Sequence, residues 1–217
     1  MISVPRLYAV VDAAFFSTTE NLVAFVQELI SGGCTLLQYR NKSGDARVML
    51  DQARELRRQS RARAPSTLAQ GRSAPHVPTL IMNDRADLCL VAEFDGVHVG
   101  QDDLSPESVR GMIGTRSLGV STHNPEQVKE ADQTSADYLA IGPVFSTSSK
   151  DQPDPVVGLA GVRRARQLTR KPLVAIGGIT RANAASVIEA GADSVAVISD
   201  LLRDPRKSAE EFFRVLR

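Results

Sequence analysis

The chain has 217 residues, of which 42% are apolar and 24% are charged, and its formal net charge is +1. This length is enough for a full globular core, and the near-neutral charge gives no support for a nucleic-acid-binding surface or a polybasic membrane patch. No apolar run approaches the roughly 18 residues of a membrane span, and the N-terminal residues lead directly into a strand rather than a signal peptide. Cys34 and Cys89 lie in apolar surroundings, so we expect reduced core thiols and a cytoplasmic protein.

Short apolar runs of strand length alternate with segments of helical periodicity along the chain. Eight strands are predicted, at 7–11, 35–39, 79–82, 96–99, 117–120, 138–141, 173–176 and 194–197. A helix is predicted after each of them, at 21–30, 45–61, 86–92, 106–112, 125 onward, 161–168, 181–190 and 205–216. Eight successive strand–helix units predict an α/β fold, a single (β/α)8 TIM barrel that spans residues 1–217.

Residues 62–77 interrupt this alternation. The segment is rich in Ala, Pro, Ser and Gly and has no clear period, which predicts a mobile loop between the second helix and the third strand. In a barrel of this kind such a loop lies on the N-terminal face, away from the active site. We therefore assign no role to His76.

The stretch from Pro172 to Ser199 contains a strand, a helix and a further strand. Gly177 and Gly178 end the first strand, Thr180 is predicted to cap the helix, and Gly191 is predicted to follow the helix end. Because glycine lacks Cβ, this pair lets backbone N–H groups approach an anion beside a helix N-terminus, and such barrels bind phosphate after strands seven and eight. The alternative is that the two glycines only form a tight turn.

Every predicted strand except the first and the last is followed by unusual polar or glycine residues. In chain order these are Gln38, Arg40 and Lys42, then Asn83 and Asp84, Asp102 and Asp103, Ser121 and His123, Thr147, Ser149 and Lys150, and finally Gly178. In a barrel all of them gather at one rim, where catalytic groups belong.

The chemistry of these residues suits a phosphorylated substrate. Three of them are cations that can bind phosphate oxygens, namely Arg40, Lys42 and Lys150. Asp84, together with Asp102 or Asp103, suits Mg²⁺ that is shared between the protein and substrate phosphates. The rim is therefore predicted to bind a diphosphate with Mg²⁺ at one end and a second phosphate near Gly178 and Ser199.

Each residue also has an ordinary structural interpretation. Asp84 could cap the third helix, and Asp102 or Asp103 could be a turn residue. Arg40 and Lys42 could be solvated loop charges.

The two histidines near this rim are ambiguous. His98 alternates with valines in the fourth strand and could face the barrel lumen, where a hydrogen-bonded core histidine is favoured over a catalytic one. His123 could be a base, although its position favours the residue that precedes a helix cap.

Eight motifs in order resemble those of the thiamine-phosphate synthase (thiamine-phosphate pyrophosphorylase) family. They are LYAVVD, QYRNK, IMNDRADL, GVHVGQDDL, GVSTHN, AIGPVFSTSSK, AIGGI and AVIS, and together they span nearly the whole chain. The resemblance implies a transferase of thiamine biosynthesis with a (β/α)8 barrel and Mg²⁺ as cofactor. Its members join 4-amino-5-hydroxymethyl-2-methylpyrimidine diphosphate to a thiazole phosphate, here expected in its carboxylated form, and release diphosphate. A homo-oligomer is compatible with this interpretation.

The resemblance also implies roles for individual residues. The pyrimidine diphosphate would be bound by Gln38, Tyr39, Arg40, Asn41, Lys42, Asn83, Ser121 and Lys150. The thiazole phosphate would be bound by Thr147, Ser148, Ser149, Gly178, Ile198 and Ser199. Mg²⁺ would be held by Asp84 and Asp103, the latter preferred to Asp102 on its motif position.

The implied mechanism is dissociative. Diphosphate leaves first, and the thiazole nitrogen then captures the pyrimidine cation. Arg40, Lys42, Ser121 and Lys150 are the expected catalytic residues, since such a reaction needs charge stabilisation and positioning rather than a nucleophile. The long loop at 142–160 is expected to act as a lid.

The nearest alternative is a thiazole tautomerase on the same barrel, which would use His123 for proton transfer. It would bind only the thiazole phosphate, so Arg40, Lys42 and the second carboxylate would have no function in it. A phosphosugar isomerase that binds a single phosphate would not need them either, and an inactive ligand-binding barrel would be expected to lack Lys150 or one aspartate. These features favour the synthase.

Overall fold

The computed structural model describes residues 4–62, 77–147 and 154–217. The strands within these ranges are β1 (Leu7–Asp12), β2 (Leu36–Arg40), β3 (Thr79–Asn83), β4 (Gly96–Val99), β5 (Ser117–Thr122), β6 (Tyr138–Ile141), β7 (Leu173–Ile176) and β8 (Ser194–Val197). Each strand is parallel to the next, and β8 pairs with β1, so the sheet closes into a barrel in chain order. This confirms the predicted (β/α)8 fold.

A helix follows each strand and packs on the outside of the barrel. The helices are α1 (Thr19–Ser31), α2 (Ala46–Ala62), α3 (Ala86–Val91), α4 (Pro106–Ile113), α5 (Pro125–Asp132), α6 (Gly158–Leu168), α7 (Ala184–Glu189) and α8 (Pro205–Val215). Short 3-10 turns occupy Ala13–Phe15 and Ser199–Leu201. Apart from its ends, the predicted loop at 62–77 lies outside the described residues. Within the described part of the chain, no helix has the length and apolar character needed to cross a membrane.

Most helices begin at a residue whose side chain caps the first turn. Ser105 and Asn124, for example, each accept a hydrogen bond from a backbone N–H three residues further on. The predicted cap at Thr180 is wrong, because α7 begins only after Asn183, whose side chain accepts the Thr180 N–H at 2.8 Å. This bond makes a separate turn before the helix.

Helix α6 begins three residues earlier than predicted, at Gly158. The backbone N–H of Val157 donates to the carbonyl of Pro143 at 2.9 Å, and the carbonyl of Val157 accepts the Gly161 N–H at 3.0 Å. These backbone hydrogen bonds fix the first turn of α6. The sequence pattern around the glycines gave no indication of them.

The barrel separates two apolar regions, because alternate side chains of a strand point to opposite faces. The outer region lies between the sheet and the helices and contains Cys34 and Cys89, both free and buried as predicted. Burial raises the pKa of the Cys34 thiol to about 12 and that of Cys89 to about 11, so both remain protonated. The inner region fills the lumen with Tyr8, Val10, Leu36, Ile81, Tyr138, Ala140, Val174 and Ala196.

Three repeated contacts close the N-terminal face of the barrel. Asp95, Asp137 and Asp193 immediately precede β4, β6 and β8. Each donates its backbone N–H to a leucine carbonyl of the preceding strand and accepts that leucine's N–H on its carboxylate; the leucines are Leu80, Leu118 and Leu173. Each carboxylate also pairs with an arginine of α2, α4 or α6, namely Arg57, Arg110 or Arg166. We call these contacts the leucine–aspartate–arginine clasps.

Candidate active site

A cavity of about 500 Å³ opens at the C-terminal ends of the strands, a size typical of small-molecule sites. The residues predicted from the sequence that line it are Gln38, Arg40, Lys42, Asn83, Asp84, Asp103, Ser121, Thr147, Gly178, Ile198 and Ser199. Asp102, His98 and His123 also line the cavity. Ser148, Ser149 and Lys150 lie outside the described residues. The C-terminal ends of seven strands, β2 to β8, and the residues that follow them therefore meet at one rim.

The side chains of Tyr39 and Asn41 point away from this cavity. Both reach toward α2, where Tyr39 Oη donates to Gln52 Oε1 at 2.6 Å and Asn41 Nδ2 donates to the same oxygen at 3.0 Å. Gln38 and Arg40 face the cavity because they alternate with Tyr39 along β2. A ligand in the cavity could meet Tyr39 and Asn41 only through their backbone.

Two cations at the rim are paired with carboxylates. Lys42 Nζ contacts the carboxylate of Asp84, and Arg40 Nη1 contacts that of Asp12. The predicted rim residues include none from the first strand, yet Asp12, the last residue of β1, lies beside Arg40 in the sheet register and pairs with it. The signal in the sequence was the position of Asp12 at the end of an apolar strand.

Asp84 faces a second carboxylate. Its φ of +60° is uncommon for a residue other than glycine, and its N–H donates to the carbonyl of His98 at 2.8 Å. Burial raises the pKa of Asp84, the hydrogen bond from Lys42 opposes this rise, and the nearby Asp103 carboxylate adds to it. Because Arg85 occupies the cap position of α3, the interpretation of Asp84 as a helix cap is wrong.

Asp103 and Asp102 differ in exposure and in their hydrogen bonds. Asp103 Oδ2 accepts the Gly100 N–H at 2.7 Å, which turns its carboxylate inward toward Asp84. Asp102 is exposed at the cavity mouth. The carboxylate pair at the rim is therefore Asp84 with Asp103.

A row of hydrogen-bonded side chains crosses the lumen beneath the cavity, and we call it the lumenal polar chain. Gln38 Nε2 donates to Tyr8 Oη at 3.0 Å, and Tyr8 Oη lies 3.0 Å from Tyr138 Oη. His98 Nδ1 is 3.1 Å from Tyr138 Oη, and His98 Nε2 is 2.9 Å from Ser121 Oγ. His98 is thus a buried, hydrogen-bonded lumenal residue, as the sequence favoured, and the chain orients the Ser121 hydroxyl at the cavity floor.

His98 makes the stability of the fold depend on pH. Burial lowers the pKa of His98 to about 4, whereas an unfolded histidine titrates near 6.5. Since the unfolded chain binds more protons between these values, the free energy of unfolding falls as the pH drops through this window. We expect wild type to lose about 2 kcal/mol more than His98→Gln between pH 7.5 and 5, as measured by urea unfolding. Equal losses in both proteins would contradict the buried, neutral imidazole.

His123 precedes the cap of α5, which is Asn124, as the sequence favoured. Its backbone N–H donates to Gln127 Oε1 at 2.7 Å, and its Nδ1 lies 2.7 Å from the Gly142 carbonyl. The Asp154 carboxylate is 3.5 Å away. These contacts fix the ring at the edge of the cavity, between the loops after β5 and β6.

Gly177 and Gly178 bring the loop after β7 against the loop after β6. Both have positive φ, and a Cβ on Gly178 would lie 2.5 Å from the Ser146 carbonyl oxygen. The Phe145 N–H donates to the Gly177 carbonyl at 3.0 Å, which joins the two loops. Ser199 lines the cavity beside them. Glycine is required at both positions for two reasons: the turn needs positive φ, and the loop after β6 leaves no room for a Cβ.

A closed parallel barrel with cations, a carboxylate pair and glycines at its C-terminal rim defines the class of barrel enzymes that act on phosphorylated substrates. The chain belongs to the thiamine monophosphate synthase family, whose model matches residues 7–201. It is therefore an enzyme of the transferase class that acts in thiamine biosynthesis, as the motifs implied.

Proteins similar to this chain match most or nearly all of its length. The thiamine-phosphate synthase of Koribacter versatilis is 56% identical, with 99% of this chain and 97% of that protein covered. The thiamine-phosphate synthase of Chloroflexus aurantiacus is 44% identical, with 89% of this chain and 83% of that protein covered. Among solved structures, the thiamine phosphate pyrophosphorylase of Pyrococcus furiosus superposes with a TM-score of 0.81 at 30% identity, covering 97% of this chain and 95% of that one. These relatives support thiamine-phosphate synthase activity.

Proposed function

We propose that this enzyme condenses 4-amino-5-hydroxymethyl-2-methylpyrimidine diphosphate with 4-methyl-5-(2-phosphoethyl)thiazole to give thiamine phosphate. Diphosphate is released, together with carbon dioxide when the thiazole is carboxylated. The observation that carries the proposal is that two groups of residues suited to binding anions line one cavity. Arg40, Lys42 and the Asp84–Asp103 pair form one end, and the loops of Gly178 and Ser199 form the other.

The first end suits the diphosphate. Arg40 can bind phosphate oxygens in a bidentate manner and Lys42 can bind them as a point charge. Asn83 supports the same end, because its buried side-chain nitrogen has no hydrogen-bond partner among the described residues. A buried donor without a partner costs about 1–3 kcal/mol, so an acceptor on the substrate would stabilise the complex.

Asp84 and Asp103 fit a divalent cation. The two carboxylates face each other at a partly buried position, and the charged form of Asp84 is disfavoured there, as its raised pKa indicates. Within the described residues no three His, Cys, Asp or Glu side chains come together as a metal site, and in this proposal the two carboxylates would share the cation with substrate oxygens. When bound, Mg²⁺ would neutralise part of the charge on the departing diphosphate.

The protein side chains have three tasks in a dissociative mechanism. Arg40 and Lys42 stabilise the negative charge that grows on the departing diphosphate. Ser121, oriented by the lumenal polar chain, contacts the aminopyrimidine and holds it in line with the thiazole. The first residues of the loop after β6 contact the Gly177 turn through the Phe145 N–H, and this loop is proposed to exclude water from the pyrimidine cation. Residues 148–153 of the predicted lid lie outside the described residues. Lys150 is proposed from the sequence to join Arg40 and Lys42.

The second end suits the thiazole phosphate. Gly177 and Gly178 leave backbone groups accessible because no Cβ intervenes, and Thr147 and Ser199 contribute hydroxyl groups beside them. This end is proposed to hold the phosphate so that the thiazole nitrogen faces the pyrimidine.

The test is an assay of the purified protein with both substrates and Mg²⁺, in which thiamine phosphate is quantified with and without EDTA. We expect product formation that EDTA abolishes. The absence of product together with tight binding of the thiazole phosphate alone would overturn the proposal in favour of a tautomerase that uses His123. Product that is unaffected by EDTA would overturn the assignment of Asp84 and Asp103 to the metal.

A further inference from the structure

We propose that Asp12 is a positioning residue that holds the guanidinium of Arg40 ready for the diphosphate, an inference that rests on the function proposed above. Asp12 ends β1, Arg40 ends β2, and the two residues are partners in the sheet register. Arg40 lines the cavity, and the carboxylate of Asp12 pairs with its Nη1. The side chain of Asp12 is 4% exposed and that of Arg40 is 23% exposed, so the carboxylate is more buried than the cation it pairs with.

The carboxylate of Asp12 is itself fixed. One oxygen pairs with Arg40, and the other accepts the backbone N–H of Ala14 at 3.1 Å, at the start of the 3-10 turn. A carboxylate held on both oxygens cannot follow a moving guanidinium, so it determines where the guanidinium lies. Arginine has five N–H donors in a planar fork, and the contact with Asp12 leaves donors for a bidentate contact with phosphate oxygens.

The other described cation of this end is held differently. Lys42 is 55% exposed and pairs with Asp84, which itself lines the cavity and is the proposed metal ligand. Substrate binding would therefore change the partner of Lys42, whereas Asp12 lies outside the cavity lining and keeps its contact. The side chain of Arg40 is ordered before the substrate arrives, and less rotamer entropy is lost when the diphosphate binds.

The variant Asp12→Asn separates positioning from simple structural support. Asparagine has the same shape and can still accept the Ala14 N–H through its Oδ1, but it lacks the charge that pairs with Arg40. We expect the KM for the pyrimidine diphosphate to rise about tenfold, equivalent to about 1.4 kcal/mol, because the charge-assisted hydrogen bond that orients Arg40 is lost. The KM for the thiazole phosphate should change less than twofold.

Three further variants make the test decisive. In an Arg40→Ala background, Asp12→Asn should raise the KM no further, and Asp12→Glu should recover part of the loss because it restores the charge. Glu210→Gln, which breaks the surface pair of Glu210 with Arg206 on α8, should leave all constants unchanged. A KM within twofold of wild type in Asp12→Asn, or an equal rise in the Arg40→Ala background, would overturn the inference.

A calorimetric titration with inorganic diphosphate in the absence of Mg²⁺ gives an independent measurement. Asp12→Asn should bind this probe about tenfold more weakly than wild type does, for the same energetic reason. Equal affinities would overturn the role of Asp12. This titration tests the role of Asp12 even if wild type forms no thiamine phosphate. The lack of product would count against the proposed function and not against the role of Asp12.

Discussion

Replacing Asp84 by asparagine is expected to lower kcat at least about 100-fold, since a bound metal ion contributes several kcal/mol of charge stabilisation in the transition state. The free energy of unfolding should stay the same or rise slightly. Asparagine tolerates the φ of +60° at this position, and its neutral side chain removes the repulsion with Asp103. The lost contact with Lys42 costs little because that lysine is largely exposed.

The neighbouring aspartates provide matched comparisons. Asp103→Asn should lose turnover to the same degree as Asp84→Asn, whereas Asp102→Asn should remain close to wild type because Asp102 is exposed at the cavity mouth. Initial rates at saturating substrates and thermal midpoints of unfolding are the measurements. Turnover near the wild-type rate in Asp84→Asn, or a larger loss in Asp102→Asn than in Asp103→Asn, would refute the assignment of the metal ligands.

Gly119→Ala is expected to lower the free energy of unfolding by about 3 kcal/mol or more, because overpacking and broken buried hydrogen bonds add together. Gly119 is the register partner of His98 on one side and of Tyr138 on the other. A Cβ at this position would lie 2.1 Å from Tyr138 Cζ and 2.4 Å from His98 Nδ1. Both rings are buried, and neither can retreat without breaking the lumenal polar chain.

Gly111→Ala is the matched control for this substitution. Gly111 lies in α4, and among the described residues no atom outside its own turn of helix lies within 4 Å of the place where its Cβ would be. Alanine in a helix interior is better than glycine by about 0.5–1 kcal/mol, so this variant should be slightly more stable than wild type. Urea unfolding followed by circular dichroism measures both variants. If Gly119→Ala unfolds with the same free energy as wild type, the close packing of Gly119 against Tyr138 and His98 is contradicted.

The barrel could be predicted from the sequence because each strand–helix unit carries its own local signals. Strand runs, turn glycines and caps such as Ser105 indicate most elements within a short window, and the parallel topology then follows from their alternation. The rim residues could be predicted for the same reason, since they directly follow strands. The orientation of Tyr39 was also within reach, because strand side chains alternate and Arg40 faces the cavity.

Other features depend on contacts between segments that are distant in the sequence. The pair of Tyr8 and Tyr138 joins strands 130 residues apart, and nothing near either tyrosine indicates it. Asp12 gains its role only from the register of β1 on β2. The choice between Asp102 and Asp103 rests on the bond that turns Asp103 inward. Such features require the tertiary fold.

The leucine–aspartate–arginine clasps recur at every second pair of neighbouring strands: β3 with β4, β5 with β6 and β7 with β8. The three clasps occupy equivalent places in successive pairs, and the register puts Leu7 and Thr35 at the fourth equivalent place, between β1 and β2. Leucine is kept there, while threonine stands where aspartate is expected. Three of the four alternating strand pairs are therefore held at their N-terminal ends by a charged contact, whereas threonine, which carries no charge, occupies the aspartate position of the fourth.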